Sequence, residues 1–109
     1  MILTPEQVIQ MACRNGAYAF GQPDQIGSLE PGKKADVVLV DMGDPCMTMP
    51  SLSVPSLLVN FAKSGDVATT IVDGQILMRD KEILVLDEDQ LLKEFRQNRA
   101  ALLKRVDIN

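Results

Sequence analysis

The sequence predicts an α+β fold in which a helix at each end of the chain flanks a group of short strands. Apolar side chains recur at helical spacing near both termini. Between them lie short runs of β-branched residues that are separated by turn residues. The predicted order is therefore helix, strand, loop, short helix, three short strands and helix.

The first helix is predicted to begin after Thr4 and to end at Gly21. Thr4, Pro5 and Gln7 form a typical helix start, because threonine caps the first turn, proline suits the first helical position and glutamine completes a capping box. Gly21 is typical of a helix C-terminus. Gly16 lies inside the helix, where either a close packing contact or a tolerated weak position accounts for it.

A turn and then a strand are predicted between Ile26 and Asp41. Pro31-Gly32 suits the central positions of a type II turn. The mostly β-branched run from Val37 to Val40 predicts a strand that is buried on both faces. The segment Gly27–Lys34 nearly matches the phosphate-binding pattern G-x-x-x-x-G-K-[ST]. However, Lys34 lacks the required hydroxyl and the segment precedes a strand, so nucleotide binding is disfavoured.

The middle of the chain is predicted to contain a loop, a short helix and three strands. Proline, serine and methionine residues indicate a loop from 42 to 54. Residues 55–62 fit either a short helix or a buried strand, and Pro55 favours the helix. Asp73-Gly74 predicts a tight hairpin, and a second turn is expected at Asp80-Lys81. The expected strands are Asp66–Val72, Gln75–Asp80 and Glu82–Leu86.

The last predicted helix begins after Asp87, which can cap it, and Glu88 and Asp89 complement the positive helix N-terminus. Its apolar face comprises Leu91, Leu92, Phe95, Leu102, Leu103 and Val106. Its basic residues are Lys93, Arg96, Arg99, Lys104 and Arg105. These cations indicate a solvated face, and a partner surface is the alternative.

Length and charge limit the classes of protein to which this chain can belong. A chain of 109 residues forms one small domain or part of a larger one. Its net charge of −4 argues against nucleic acid and anionic membranes as partners. No apolar run approaches the roughly 20 residues that span a bilayer, and no signal peptide is indicated. We therefore expect a cytoplasmic protein, in which Cys13 and Cys46 are reduced thiols without an assigned role.

The chain contains no histidine, which excludes several kinds of catalytic and metal-binding site. No serine–histidine or cysteine–histidine couple and no imidazole metal ligand can form, and two cysteines do not make a typical zinc site. Carboxylate catalysis by Asp36, Asp41 and Asp44 is an alternative, but aspartates at strand ends and turns are usually caps. We therefore predict no catalytic, cofactor-binding or metal-binding residue in this chain.

Three stretches together carry a resemblance to a known family: Thr4–Gly21, Ile26–Asp41 and Ile71–Leu77. They resemble the C-terminal end of a metal-dependent amidohydrolase, in the group of cytosine/guanine deaminases, adenosylhomocysteine deaminases and triazine chlorohydrolases. The resemblance implies a barrel that carries a small β-sandwich, the composite domain, built from both ends of the chain. Residues 1–22 would then be a late barrel-type helix, 23–86 a segment of the β domain and 87–109 a C-terminal helix.

The chain also departs from that family. A complete (β/α)₈ barrel takes about 250 residues, so 109 residues cannot contain one. The family's zinc or iron ligands are histidines and an aspartate on barrel strands, and none of them maps to a position here. The resemblance therefore implies a fragment, inactive alone, whose parent reaction is hydrolytic deamination or a related hydrolysis of a heterocycle. The alternative is a free-standing structural or oligomerisation module. Expected partners are a second copy or a separate barrel segment.

Overall fold

The computed structural model describes residues 2–106, which form an N-terminal helical part, an open antiparallel sheet and a C-terminal helix. The helices are α1 (Pro5–Gln10), a π-helical turn (Met11–Asn15), α2 (Gly16–Ala19), α3 (Val54–Phe61) and α4 (Glu88–Val106). Short 3₁₀ turns lie at Pro45–Met47 and Ser64–Asp66. The strands are β1 (Val37–Val40), β2 (Val67–Val72), β3 (Gln75–Arg79) and β4 (Glu82–Ile83). The predicted α+β fold is confirmed.

Both predicted ends of the first helical segment are confirmed. The Thr4 hydroxyl accepts a hydrogen bond from the Gln7 backbone N–H at 3.3 Å, and the Gln7 side-chain oxygen accepts one from the Thr4 N–H at 2.9 Å. At the other end Gly21 has a φ of +70°. The Gln22 N–H donates to the Ala17 carbonyl at 2.9 Å, the six-to-one bond of a Schellman motif. Local sequence therefore fixes where this segment begins and ends.

The π-helical turn at Met11–Asn15 was not expected, since the sequence predicts one continuous α-helix. Such a turn inserts an extra residue per turn and rotates the side chains that follow it. A β-carbon on Gly16 would approach only the Met11 carbonyl oxygen, at 4.0 Å. The structure therefore favours a tolerated weak position over a close packing contact as the account of Gly16.

The four strands form one antiparallel sheet in the order β1-β2-β3-β4. Asp73 and Gly74 have φ values of +50° and +80°, and Asp80 and Lys81 have +50° and +69°. Positive φ at both central residues is the geometry of a type I′ turn, so both predicted turns are confirmed. The prediction of a last strand reaching Leu86 is wrong, because β4 ends at Ile83. Beyond the bond from the Leu84 N–H to the Leu77 carbonyl, at 2.9 Å, the chain leaves the ladder.

The prediction that the Val37–Val40 strand is buried on both faces is also wrong for the described residues. Val38 and Leu39 are 54% and 52% exposed. β1 is an edge strand, since it pairs only with β2. The β-branched run determines the extended backbone, but burial depends on what covers the strand, and residues 2–106 supply no such cover.

The buried apolar core of the described residues is small and lies among the helices. It consists of Ala17, Met47 and Leu57. Helix α3 packs against α1 and against the turn that carries Met47. The accessible surface of 8790 Å² is well above the value of about 6,000 Å² expected for a compact chain of this size. The radius of gyration of 18.8 Å likewise exceeds the expected value of about 13 Å.

Helix α4 stands clear of the rest of the chain, and each of its residues is exposed. The predicted cap is confirmed, because the Asp87 carboxylate accepts a hydrogen bond from the Gln90 N–H at 3.0 Å. The Gln90 side chain donates to Glu94 one turn later, also at 3.0 Å. These contacts are local, and in proteins most of the stability of a helix comes from packing of its amphipathic face. Across residues 2–106, no helix has both the length and the apolar character needed to span a membrane.

Candidate functional site

A polar cluster holds the loop after α2 in place, and we call it the loop anchor: Arg14, Ser28, Glu30 and Lys33. The Lys33 ammonium donates to the Pro23 carbonyl and to the Ser28 hydroxyl, each at 2.8 Å. The Ser28 hydroxyl donates to Glu30 at 2.6 Å, and the Arg14 guanidinium lies 3.5 Å from the same carboxylate oxygen. The Lys33 side chain is only 18% exposed. The Lys33 ammonium therefore stabilises the loop through these hydrogen bonds.

The loop anchor gives the segment that nearly matches a phosphate-binding loop a structural role. Lys33 occupies the lysine position of that pattern, and its ammonium is already bound to Pro23 and Ser28. Lys34 forms an ion pair with Asp73 at 3.3 Å, across to the β2–β3 turn. Gly32, with a φ of +90°, completes a turn that the Lys33 N–H closes by donating to the Glu30 carbonyl at 3.2 Å. The segment positions β1 on the helical part.

The loop anchor lowers the pKa of Glu30 below its ordinary value of 4.5, mainly through the Ser28 hydrogen bond and then through the Lys33 charge. A lowered pKa means that ionised Glu30 favours the folded loop. This contribution is present above pH 4.5 and is lost as the pH falls through the lower, folded pKa. In an NMR titration of the Glu30 carboxyl carbon, we expect a midpoint below 4.5 that rises toward 4.5 in Ser28→Ala. An unchanged midpoint in that variant would contradict this account.

The three aspartates weighed as catalytic candidates accept backbone hydrogen bonds at separate turns. Asp36 accepts from the Asp73 N–H at 2.7 Å and ties the start of β1 to the β2–β3 hairpin. Asp41 accepts from the Gly43 N–H at 2.9 Å. Asp44 caps a 3₁₀ turn through the Cys46 N–H at 2.8 Å, and this bond lowers the pKa of Asp44. These are structural roles of the kind expected for aspartates in turns.

The concave surfaces of the described residues are open to solvent. A cleft of about 450 Å³ lies beside the loop anchor, and Arg14, Tyr18, Asp24 and Lys33 contribute to its walls. The Arg14 and Lys33 charges in this cleft already face Glu30. A second feature of the surface is apolar: Phe20, Val38, Leu39 and the apolar side chains of α4 are exposed. The candidate functional site of this chain is therefore its uncovered apolar surface.

The arrangement of these elements has counterparts among known proteins. The sequence profile of the Amidohydrolase family matches residues 1–77. The chain belongs to the amidohydrolase family. This amidohydrolase chain is 47% identical over 105 residues to the 5′-deoxyadenosine deaminase of Methanosarcina mazei, covering 96% of this chain and 24% of that protein. It is 44% identical over 90 residues to the 5-methylthioadenosine/S-adenosylhomocysteine deaminase of Moorella thermoacetica, covering 83% and 21%.

Solved structures show the same fold segment. A zinc-bound adenosine deaminase from Xanthomonas campestris superposes with a TM-score of 0.87 at 30% identity, covering 94% of this chain and 23% of that one. A zinc complex of atrazine chlorohydrolase from Arthrobacter aurescens gives a TM-score of 0.71 at 22% identity, covering 84% and 20%, which shows the fold alone. The amidohydrolase chain thus spans about a quarter of the length of the relatives that it matches. The resemblance drawn from its sequence is confirmed.

The residues of this amidohydrolase chain do not fit the zinc that these solved structures contain. The sequence has no histidine. Within residues 2–106, no group of three or more histidine, cysteine, aspartate or glutamate side chains could hold a metal ion. Cys13 and Cys46 are exposed free thiols in separate elements. A metal centre of the family's kind would need donors from sequence outside this chain.

Proposed function

We propose that this chain is a scaffold segment of an amidohydrolase, catalytically inactive by itself, that completes a metal-binding barrel formed by other sequence. The observation that carries the proposal is the exposed surface of 8790 Å², far above that of a compact chain of this size. Large exposed apolar areas mark interaction surfaces. The chain matches only about a quarter of the length of each relative. This agrees with a segment that is stabilised by contacts with the remaining three quarters of such a protein.

The β1 edge is the part of the sheet that best fits this role. Among residues 2–106, β1 pairs with β2 on one side only, so the backbone groups along its other side are available to another strand. Val38 and Leu39 are exposed on this strand. An added strand would satisfy the backbone groups, and a covering layer would bury the apolar side chains. We therefore propose that other amidohydrolase sequence extends the sheet at β1.

We propose that the complete protein hydrolytically deaminates an adenine nucleoside. Similarity to the 5′-deoxyadenosine and 5-methylthioadenosine/S-adenosylhomocysteine deaminases supports this substrate class. In such a reaction, water adds to the ring carbon that bears the amino group, and that group leaves as ammonia. The residues of this chain hold the loop, the hairpin and the sheet together rather than take part in proton transfer. Its contribution to the reaction is structural.

A complementation assay tests this proposal. With zinc and 5′-deoxyadenosine, we expect the purified chain to release no ammonia above the blank. Adding it to the Methanosarcina mazei deaminase truncated by the matching C-terminal quarter is expected to restore deamination. Val38→Glu with Leu39→Glu should weaken that restoration, whereas Gln97→Glu on exposed α4 should not. Turnover by the chain alone, or no restoration by the unaltered chain, would contradict the proposal.

A free-standing oligomerisation module is the second candidate function. The observation that favours it is α4, an amphipathic helix of 19 residues without a buried residue. A helix of this kind is stabilised by packing of its apolar face.

A further inference from the structure

The connector after β4 and helix α4 together carry a continuous exposed apolar surface. Leu84, Val85 and Leu86 follow one another in the connector, and all three are exposed. A run of three exposed apolar residues is unfavourable unless it serves an interaction. The apolar side chains of α4 lie on one face of the helix and are also exposed: Leu91, Leu92, Phe95, Leu102, Leu103 and Val106. The connector and the helix therefore have the composition of a covered segment.

The position of α4 recurs in a solved structure, although little within this chain holds it. No other helix or strand of residues 2–106 packs extensively against α4. The zinc-bound adenosine deaminase superposes on 94% of the 109 residues, which leaves about seven residues outside the superposition. Because α4 has 19 residues, more than half of it belongs to the superposed segment. That segment is 23% of the deaminase chain, so the remaining sequence is available there to hold the helix.

We propose that the apolar face of α4 docks on the barrel-bearing part of an amidohydrolase, which lies outside this chain; this rests on the scaffold role proposed above. A shallow groove of about 270 Å³ between Phe95, Asn98, Arg99 and Leu102 receives an apolar side chain of that part. Arg99 forms no ion pair within residues 2–106. A covered cation needs a partner, so the docking surface supplies an oxygen acceptor for Arg99.

The charges of α4 disfavour other occupants of its apolar face. A reversed copy of the helix that is centred on the groove would bring Lys93 and Lys104 together, and a parallel copy would bring each charge against itself. An anionic membrane surface would attract the basic end of α4 but repel Glu88 and Asp89. The superposition, by contrast, places α4 within a much longer chain of the same family.

Hydrogen–deuterium exchange of the full chain tests the docking, with the truncated Methanosarcina mazei deaminase of the complementation assay as the binding partner. In the free chain we expect the α4 amides to exchange rapidly at every protein concentration, because no packing protects them. With an excess of the truncated deaminase, the same amides should exchange about tenfold more slowly or slower still. Protection that instead rises with the concentration of the chain alone would place a second copy on this face and overturn the proposal.

A matched pair of substitutions tests which face of α4 docks. Phe95→Glu places a carboxylate in the groove and is expected to weaken binding to the truncated deaminase by about tenfold or more. Gln97→Glu introduces the same charge on the opposite side of the helix and should leave binding unchanged. Phe95→Leu keeps an apolar side chain in the groove and should retain most of the binding. Equal effects of Phe95→Glu and Gln97→Glu would overturn the proposal.

Docking of α4 and the scaffold role of the chain fail in different ways. If the unaltered chain restores deamination while its α4 amides exchange as in the free chain, the docking is overturned and the scaffold role stands. If the α4 amides become protected without restored deamination, the docking is supported and the scaffold role is contradicted. The absence of both protection and restored deamination overturns both.

Discussion

Replacing Leu57 by alanine is expected to lower the free energy of unfolding of the helical part by about 2–5 kcal/mol. Leu57 is only 5% exposed and is one of three buried apolar residues in the described core. Its helix α3 packs against α1 and against the turn that carries Met47. Because stabilities of whole domains are about 5–15 kcal/mol, this single change removes a large part of the total.

Urea unfolding followed by far-UV circular dichroism measures this loss, and Leu84→Ala is the matched control. Leu84 is 52% exposed, so the same chemical change there should alter the free energy of unfolding by about 0.5 kcal/mol or less. If both variants unfold at the same urea concentration, the core of Ala17, Met47 and Leu57 does not hold the helical part together. If Leu57→Ala lowers the free energy of unfolding more than Leu84→Ala does, the packing of α3 against α1 stabilises the helical part.

The features that the sequence predicts correctly are those determined within a few residues. The Thr4 capping box, the Pro31-Gly32 turn and the Asp73-Gly74 hairpin all depend on side chains and φ angles at adjacent positions. Even the Asp80-Lys81 turn, which lacks a glycine, follows from the two flanking β runs. Short-range chemistry therefore identifies most of the helices and strands and their order.

Burial was harder to predict, because it depends on contacts far along the chain or outside it. The composition of the Val37–Val40 run is that of a covered strand, and it is an exposed edge strand in residues 2–106. The apolar composition of this strand suits a strand that is covered by a further layer of the protein. Local periodicity in the sequence does not show whether that layer is part of the chain. Likewise, Glu82–Leu86 has a strand-like composition, but β4 ends at Ile83 as the chain turns toward α4.

The loop anchor could not have been identified from the sequence. Ser28, Glu30 and Lys33 lie within six residues of one another, but their contacts also involve Pro23 and Arg14 on preceding elements. The only sequence signal at this position was the incomplete phosphate-loop pattern, which indicates a different chemistry. The structural roles of Asp36 and Asp44, by contrast, were anticipated because turn and cap chemistry is local.

Replacing Gly27 by alanine is expected to destabilise the chain more than replacing Gly32 by alanine. Both glycines have positive φ, +89° and +90°, so each substitution carries a similar backbone cost of about 1–2 kcal/mol. A β-carbon on Gly27 would lie 2.7 Å from the Ala17 β-carbon and 3.0 Å from the Cys13 carbonyl oxygen. A β-carbon on Gly32 would have no atom within 4 Å. The steric term adds about 1–3 kcal/mol at Gly27 alone.

The difference between the two alanine variants isolates the packing of the loop on the first helical segment, because the backbone term is common to both. Urea unfolding of the full chain gives each free energy. Adding Ala17→Gly to Gly27→Ala removes the shortest contact and should recover part of the loss, leaving the approaches to the Cys13 carbonyl oxygen at 3.0 Å and to the Arg14 α-carbon at 3.3 Å. Equal losses in the two single variants would show that Gly27 is required only for its backbone angle. A larger, partly recoverable loss at Gly27 shows that close contact with the helix holds the loop, and therefore positions β1.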